Sequence, residues 1–414
     1  MSTKSTVVGC RAISGTMIRS SQRSSLAGRA GESVGTRNVA ACNYGRVRDD
    51  RVMTVARTLL AIPVAAAVGL VAVPGAAAPA AGGSPALQQL VGQKLVVRMD
   101  GTRPSASLLA RARLGRIGGV IIHGFNFESP ADVRAITRRL QAAAALGGQP
   151  PLLIAVDQEG GPVKVVPWIP PTLSPGQMGA LGSGGTALRQ GESTGASLLD
   201  LGINTDFAPV ADVPSTRASF LYRQGRTWSF RAHRTARLSG WFAIGLGRRG
   251  VVATSKHFPG IGRATRDTDH FVVRIGATKA TLAPGVKPFR TAVADQVPLI
   301  MLSNAIYTAY DPWNAAGWSR AIGTYLLRGE LGFRGVTITD SLDGAAHQRG
   351  TTSSPLAVRA ARAGTDLLLL TGSEPASQDA YRAVLRAVGE GHIDRKRLLA
   401  SYRRILVLKA TLRR

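Results

Sequence analysis

Leu152-Leu153-Ile154-Ala155-Val156-Asp157-Gln158-Glu159-Gly160-Gly161 is a short apolar run that stops at a carboxylate and a glycine pair. Runs of this kind, bounded by turn residues, recur at 94–99, 117–122, 152–156, 203–205, 251–255, 299–302, 336–339 and 366–370. Helical patterns of ten to fifteen residues separate them. One opens at Ser129-Pro130 with Asp132 in its first turn and an apolar face of Val133, Ile136 and Leu140. Others run near 188–199, 235–246, 319–327, 355–363, 380–388 and 395–408. Strand, loop and helix in alternation are the signature of βαβ units around a parallel sheet. About eight units in roughly 330 residues predict an α/β fold, a single (β/α)8 barrel of the TIM type.

The polar residues at the ends of these runs are informative about function. The runs end in Asp100, His123, Asp157, Asp206, Lys256 with His257, Ser303 with Asn304, Asp340 and Thr371. In a parallel barrel the strand ends share one rim, so ionisable groups far apart in sequence converge on one pocket. Singly, each reads as a helix cap or a loop hydrogen bond. In register, they read as a site.

Composition narrows the class. The chain has 414 residues, 52 Lys and Arg against 24 Asp and Glu, a net charge of +28 and 44% apolar residues, too apolar for a disordered basic tail. Two cysteines make neither a disulfide framework nor a four-cysteine zinc site. Residues 1–52 show no period of 2 or 3.6 and read as a disordered or mis-assigned extension. Residues 53–81 carry Arg57, an apolar stretch from Leu59 to Ala81 and an Ala76-Ala77-Ala78 cut site, the layout of a secretory signal, with a membrane anchor as the alternative. Met53 is the expected start. Cys10 and Cys42 both precede the signal, and the expected domain, 82–414, retains 42 basic and 21 acidic residues, a net +21. The expected location is secreted or envelope-associated.

Five motifs carry the functional reading: A-V-D-Q-E-G-G (155–161), G-I-N-T-D-F-A-P-V-A-D-V (202–213), K-H-F-P-G (256–260), S-N-A-I-Y-T-A-Y-D-P (303–312) and G-F-R-G-V-T-I-T-D-S-L (332–342). In order and spacing the chain from about Pro85 onward resembles glycoside hydrolase family 3. Within it, the chain is similar to single-domain β-N-acetylhexosaminidases that act on bacterial cell-wall sugars. The resemblance implies a retaining glycosidase that needs no cofactor, with Asp340 as nucleophile and Asp157, Arg226, Lys256 and His257 as sugar-binding residues. A retaining mechanism needs a carboxylate below the anomeric carbon and a proton donor on the leaving oxygen. Gly160 and Gly161 are expected to let the backbone approach a ligand.

Departures from the family pattern accompany the matches. Ser341 stands where the family has a second Asp. In the subgroup an Asp-His pair in the loop after K-H-F-P-G serves as acid/base, and here that loop reads I-G-R-A-T-R-D-T-D-H (261–270). One alignment puts Asp269 in the histidine's position. Another admits an insertion and puts His270 there with Asp267 as its partner, and this is the preferred expectation. The family's R-V-x-R after the glycine pair is Pro162-Val163-Lys164-Val165, so its last Arg is lost; Lys164 compensates only partly, because an ammonium does not reproduce a bidentate guanidinium. The prolines at 167, 170, 171 and 175 predict a stiffened loop over the rim.

Rival readings are a catalytically impaired carbohydrate-binding protein and β-glucosidase-type specificity. The six histidines include no H-x-H or H-E-x-x-H pair, so no metal is expected. Dispersed Arg and 5% aromatics argue against a nucleic-acid partner. The expected partners are an N-acetylglucosamine-containing saccharide and anionic envelope polymers, and the expected state is a monomer.

Overall fold

A computed structural model describes residues 85–412. The expected leader, the export or anchor segment and its cut site lie outside the described residues.

Eight parallel strands form one sheet: β1 Leu95–Arg98, β2 Gly119–Ile121, β3 Leu153–Val156, β4 Thr205–Asp206, β5 Val252–Phe258, β6 Leu299–Leu302, β7 Val336–Thr339 and β8 Leu368–Leu370. Each of β1 to β6 pairs with the next, and β8 returns to β1 with Leu95 opposite Leu368. Hydrogen bonds from Thr339 N to Leu367 O and from Leu367 N to Thr337 O join β7 to the start of β8 and close the ring. The fold is the expected α/β barrel, with every expected strand present.

Alternation along the strands divides the core in two. Val96, Ile121, Leu153, Leu299, Ile338 and Leu369 belong to an inner cluster, and Leu95, Val97, Ile154 and Val156 pack outward against helices. The helix Arg395–Ala410 closes the N-terminal mouth, because its Ile405 and Leu408 join the inner cluster. Polar groups at the same mouth are paired. Asp366, just before β8, accepts from Arg328 and Arg404 at 2.5 and 2.7 Å, and Lys94 donates to Thr365 O, Asp366 O and Ser401 Oγ.

The outer helices follow their local signals. Pro130–Leu146 starts as expected, with Ser129 Oγ accepting from Asp132 N and Asp132 Oδ2 accepting from Ser129 N, a reciprocal cap. Lys279–Ala294, between β5 and β6, escapes the sequence reading because Pro284 and Pro288 interrupt its pattern. β5 also runs past its expected end at 255. Lys256 bridges to Val210 and Phe258 pairs with Leu302, so Lys256 and His257 lie within the strand.

The plug generates a test. Ile405 is fully buried, and Ile405→Ala leaves a cavity at the barrel floor that neighbouring strands cannot collapse into. We expect a loss of roughly 3 kcal/mol in urea unfolding, seen as a lower midpoint at unchanged slope.

Candidate active site

The C-terminal ends of the strands open on a cavity of about 360 Å3, whose polar lining includes His123, Asp157, Glu159, Arg226, Lys256 and His257 along one part and Asp267, Asp269, Asp340, Ser341 and Thr371 along another. Ile121, Met301 and Leu369 from the inner barrel core form its floor. Residues 248 positions apart, His123 and Thr371, therefore share one pocket because parallel strands deliver their ends to one rim.

Lys256 holds one part of this site together. Its Nζ lies 2.6 Å from Asp157 Oδ1 and 2.6 Å from Glu159 Oε1. Arg226 grips the same Glu159 in a fork, Nε to Oε2 at 2.8 Å and Nη2 to Oε1 at 2.7 Å. Burial alone would raise the Glu159 pKa; the Arg226 and Lys256 charges outweigh it and bring it down to about 2. The two carboxylates in turn hold Lys256 protonated, its pKa pushed above the ordinary lysine range against the desolvation that opposes it. Arg226 and Lys256 thus reach the cavity as fixed donors. Glu159 was not singled out from the sequence, although it sits inside D-Q-E-G-G two residues after Asp157; the spacing puts both carboxyls near one cation.

Beneath this cluster Asp206, fully buried at the end of β4, accepts from Gln158 N at 3.0 Å. Desolvation pushes its pKa up to about 8 against the Gln158 hydrogen bond and the Lys256 charge. His257 is oriented by Asp212, the last acid of the A-P-V-A-D-V motif. Asp212 Oδ2 lies 2.7 Å from His257 Nδ1 and accepts from His257 N at 3.0 Å, while Oδ1 accepts from Ile261 N at 2.6 Å. One buried carboxylate therefore sets the imidazole and starts the following loop. Asp212 too was missed as an individual residue.

Asp340 follows β7. The next helix, Leu342–His347, is capped by Ser341, whose Oγ accepts from Gly344 N at 3.0 Å. Asp340 is thus relieved of the capping role. Its Oδ1 accepts from Ser341 N at 2.8 Å, and the residue lines the cavity.

The loop after β5 separates two neighbours. Asp267 and Asp269 line the cavity, whereas His270 is exposed and outside the lining. Asp269 Oδ1 accepts from Asn304 Nδ2 at 3.3 Å. Burial first, then the carboxylates of Asp340 and Asp267, raise the Asp269 pKa to about 7.

The segment after the glycine pair also differs from expectation. Val163 and Val165 line the cavity and Lys164, between them, does not, as strand alternation requires. Gly160 and Gly161 have φ of 93° and 65°, and a Cβ on either would come within 2.7 Å of Leu173 O or Ser174 Cβ. Both therefore let the proline-rich segment pack against this turn. Gln158 ties that segment down through Val166 O at 2.9 Å and Pro170 O at 3.0 Å. Pro175 does not belong to a stiff loop: it starts the helix Pro175–Leu181. Among the described residues no group of three His, Cys, Asp or Glu side chains could hold a metal ion.

A parallel barrel whose rim gathers neighbouring carboxyls with fixed Lys and Arg donors suits a glycosidase. The family model "Glycosyl hydrolase family 3 N terminal domain" matches residues 86–408, and the chain belongs to that family. An "Uncharacterized secreted glycosyl hydrolase" of Arthroderma benhamiae is 33% identical over 328 residues, 78% of this chain and 92% of that protein. A "Beta-hexosaminidase" of Alkalilimnicola ehrlichii is 33% identical over 300 residues, 70% of this chain and 83% of that one. Among solved structures, the β-N-acetylhexosaminidase of Beutenbergia cavernae superposes with a TM-score of 0.73 at 30% identity, covering 79% of this chain and 99% of that chain. A family 3 β-N-acetylglucosaminidase of Paenibacillus sp. gives 0.75 at 31% identity, covering 79% of this chain and 63% of that chain.

The Lys256 cluster predicts an acid limb in stability. Glu159 has a folded pKa below its unfolded value, so its contribution is complete above pH 4.5 and is lost as pH falls towards 2. Glu159→Gln leaves Lys256 and Arg226 with one partner fewer. We expect a cost of about 3 kcal/mol at pH 7 and a flatter stability profile between pH 4.5 and 2, read from urea unfolding at stepped pH.

Proposed function

We propose that this family 3 glycosidase is an exported, retaining β-N-acetylhexosaminidase that removes terminal β-linked N-acetylglucosamine from cell-wall-derived saccharides, as a monomer whose catalytic domain is 82–414. The observation that carries the reading is Asp340, freed from capping by Ser341 and opening into the same cavity as Asp157, Arg226, Lys256 and His257. In this reading Asp340 attacks the anomeric carbon, the glycosidic C–O bond breaks, and a glycosyl-aspartate forms that water then hydrolyses. Asp157 accepts from sugar hydroxyls, while Lys256, Arg226 and His257 hold the ring over Asp340.

The names of the hexosaminidase relatives support the N-acetylated sugar, and the secreted relative supports export. No helix among the described residues is long and apolar enough to cross a membrane. The excess of Arg supports attraction to an anionic envelope, a screened and therefore salt-sensitive interaction.

Turnover of a chromogenic β-N-acetylglucosaminide tests the reading. Asp340→Ala is expected to lower kcat on the order of a thousandfold or more, and a 5-fluoro glycosyl donor to leave a sugar mass on the peptide containing Asp340. Saccharide binding by the wild type without turnover would support the binding-protein reading instead, and preference for a β-glucoside would change the sugar. Retention on anionic cell-wall polymers is expected to fall as salt rises from about 0.05 to 0.5 M; retention that does not change rules out the electrostatic attachment.

A further inference from the structure

We propose that Asp269, a carboxylic acid, is the general acid/base of this site, and that His270 takes no part in proton transfer. The inference rests on the retaining reading above. Its basis is placement. Asp269 lines the cavity with Asp340, while His270, the next residue, is exposed and followed by Phe271, whose ring lies 3.5 Å from the Arg266 guanidinium on the outer side of the loop.

The loop is held in this register at several points. Gln348 Nε2 donates to Thr268 O at 2.7 Å, Asp267 Oδ1 accepts from Asp269 N at 2.9 Å, and Asn304 Nδ2 donates both to Asp269 Oδ1 at 3.3 Å and to Ser341 O at 2.9 Å. Asn304 therefore spans the short gap between Asp269 and the residue next to Asp340. Gly344, in the helix that follows Asp340, completes the seat: a Cβ there would stand 3.3 Å from Asp269 Cβ. A loop anchored at 268 and 269 against these elements delivers a carboxyl beside the nucleophile and turns the imidazole away.

The groups facing Asp269 are Asp340 after β7, Asp267 in its own loop, His257 on β5 and Asn304 after β6. His257 and Asn304 favour the anion. Burial and the two carboxylates oppose it and prevail, raising the pKa to about 7, which suits a proton donor near neutral pH. The same electrostatics reverse at the right moment. In the first step Asp340 bonds to C1, the C1–O bond breaks, and the leaving oxygen takes the Asp269 proton. Esterified Asp340 carries no charge, so the Asp269 carboxylate persists. It then takes a proton from water as that water attacks C1, and the C1–Oδ bond to Asp340 breaks with its electron pair returning to the carboxylate. Both residues end as they began.

Kinetics on the full chain separate Asp269 from His270. The substrates are β-N-acetylglucosaminides and β-glucosides, each with an activated dinitrophenyl and an unactivated alkyl leaving group. Asp269→Ala is expected to lose on the order of 10²–10⁴-fold in kcat/KM with the alkyl leaving group and far less with dinitrophenyl. With the dinitrophenyl substrate, azide should raise the variant's kcat by attacking the glycosyl-enzyme and yield the β-glycosyl azide, and the alkaline limb near pH 7 should vanish. Asp269→Asn repeats the test with the shape kept, and thermal midpoints identify a variant that has merely unfolded. The proposal is overturned if the Asp269 variants keep the wild-type leaving-group dependence and pH profile, and equally if azide rescue and loss of the limb appear in His270→Ala. Turnover confined to glucosides would correct the sugar while the acid test is read on them. A wild type that turns over none of the four would overturn both readings.

Discussion

The contact of Lys256 with Asp157 and Glu159 is the constraint around which the rim is organised. It joins the end of β3 to β5 past the short β4, and through Glu159 it fixes Arg226, which arrives from a loop thirty residues before Lys256. Two cations and two carboxylates balance, so a nearly dry site tolerates four charged groups; with one removed, the rest are left in a medium that solvates them poorly. Asp206, fully buried beneath the cluster, has its pKa pushed up to about 8 by desolvation even with Lys256 nearby, whereas Asp157 is partly exposed at the cavity.

Across the cavity the logic is inverted. Burial, then Asp340 and Asp267, with no basic side chain beyond His257 to offset them, raise the Asp269 pKa to about 7 in place of an ion pair. The pocket thus has a part around Lys256 where charge is compensated and a part around Asp269 and Asp340 where it is not. Both are set in a chain whose overall charge is strongly positive, yet the surface Arg residues that produce that excess do not neutralise the three acids. Net charge describes how the protein meets its surroundings; the local arrangement of a few carboxyls decides the chemistry.

The barrel was legible because its strands are uninterrupted apolar runs with polar ends, a pattern that survives without any alignment. The convergence of Asp157 and Asp340 on one cavity was legible for the same reason, since a strand end has a defined direction; Lys256 and His257 reach that cavity from within β5, which runs past the end its apolar run suggests. The helix Lys279–Ala294 was not, since two prolines mask a periodicity that packing against its neighbours sustains. Glu159 and Asp212 lay in plain view within the motifs, but their roles depend on which cation or imidazole stands opposite, and that is a tertiary fact. The choice between Asp269 and His270 was beyond the sequence because the loop from 261 to 273 has no period, so one residue of register decides which side chain faces in; Gln348 and Asn304, each far away in the chain, supply that register.

The seam of the barrel carries a different consequence. Leu95 pairs with Leu368, and Lys94 reaches Thr365 across 271 positions, so the ring is completed by partners from opposite ends of the described chain. Closing so long a loop is entropically unrewarded until many other contacts exist. The seam and the helix that stoppers the floor are therefore expected to form late, once the intermediate βα units have docked. Until then the inner cluster and the edges of β1 and β7 stand open to pairing with other chains. For this protein the vulnerable stage is an incomplete ring, and its most dangerous surface is the future interior of the barrel.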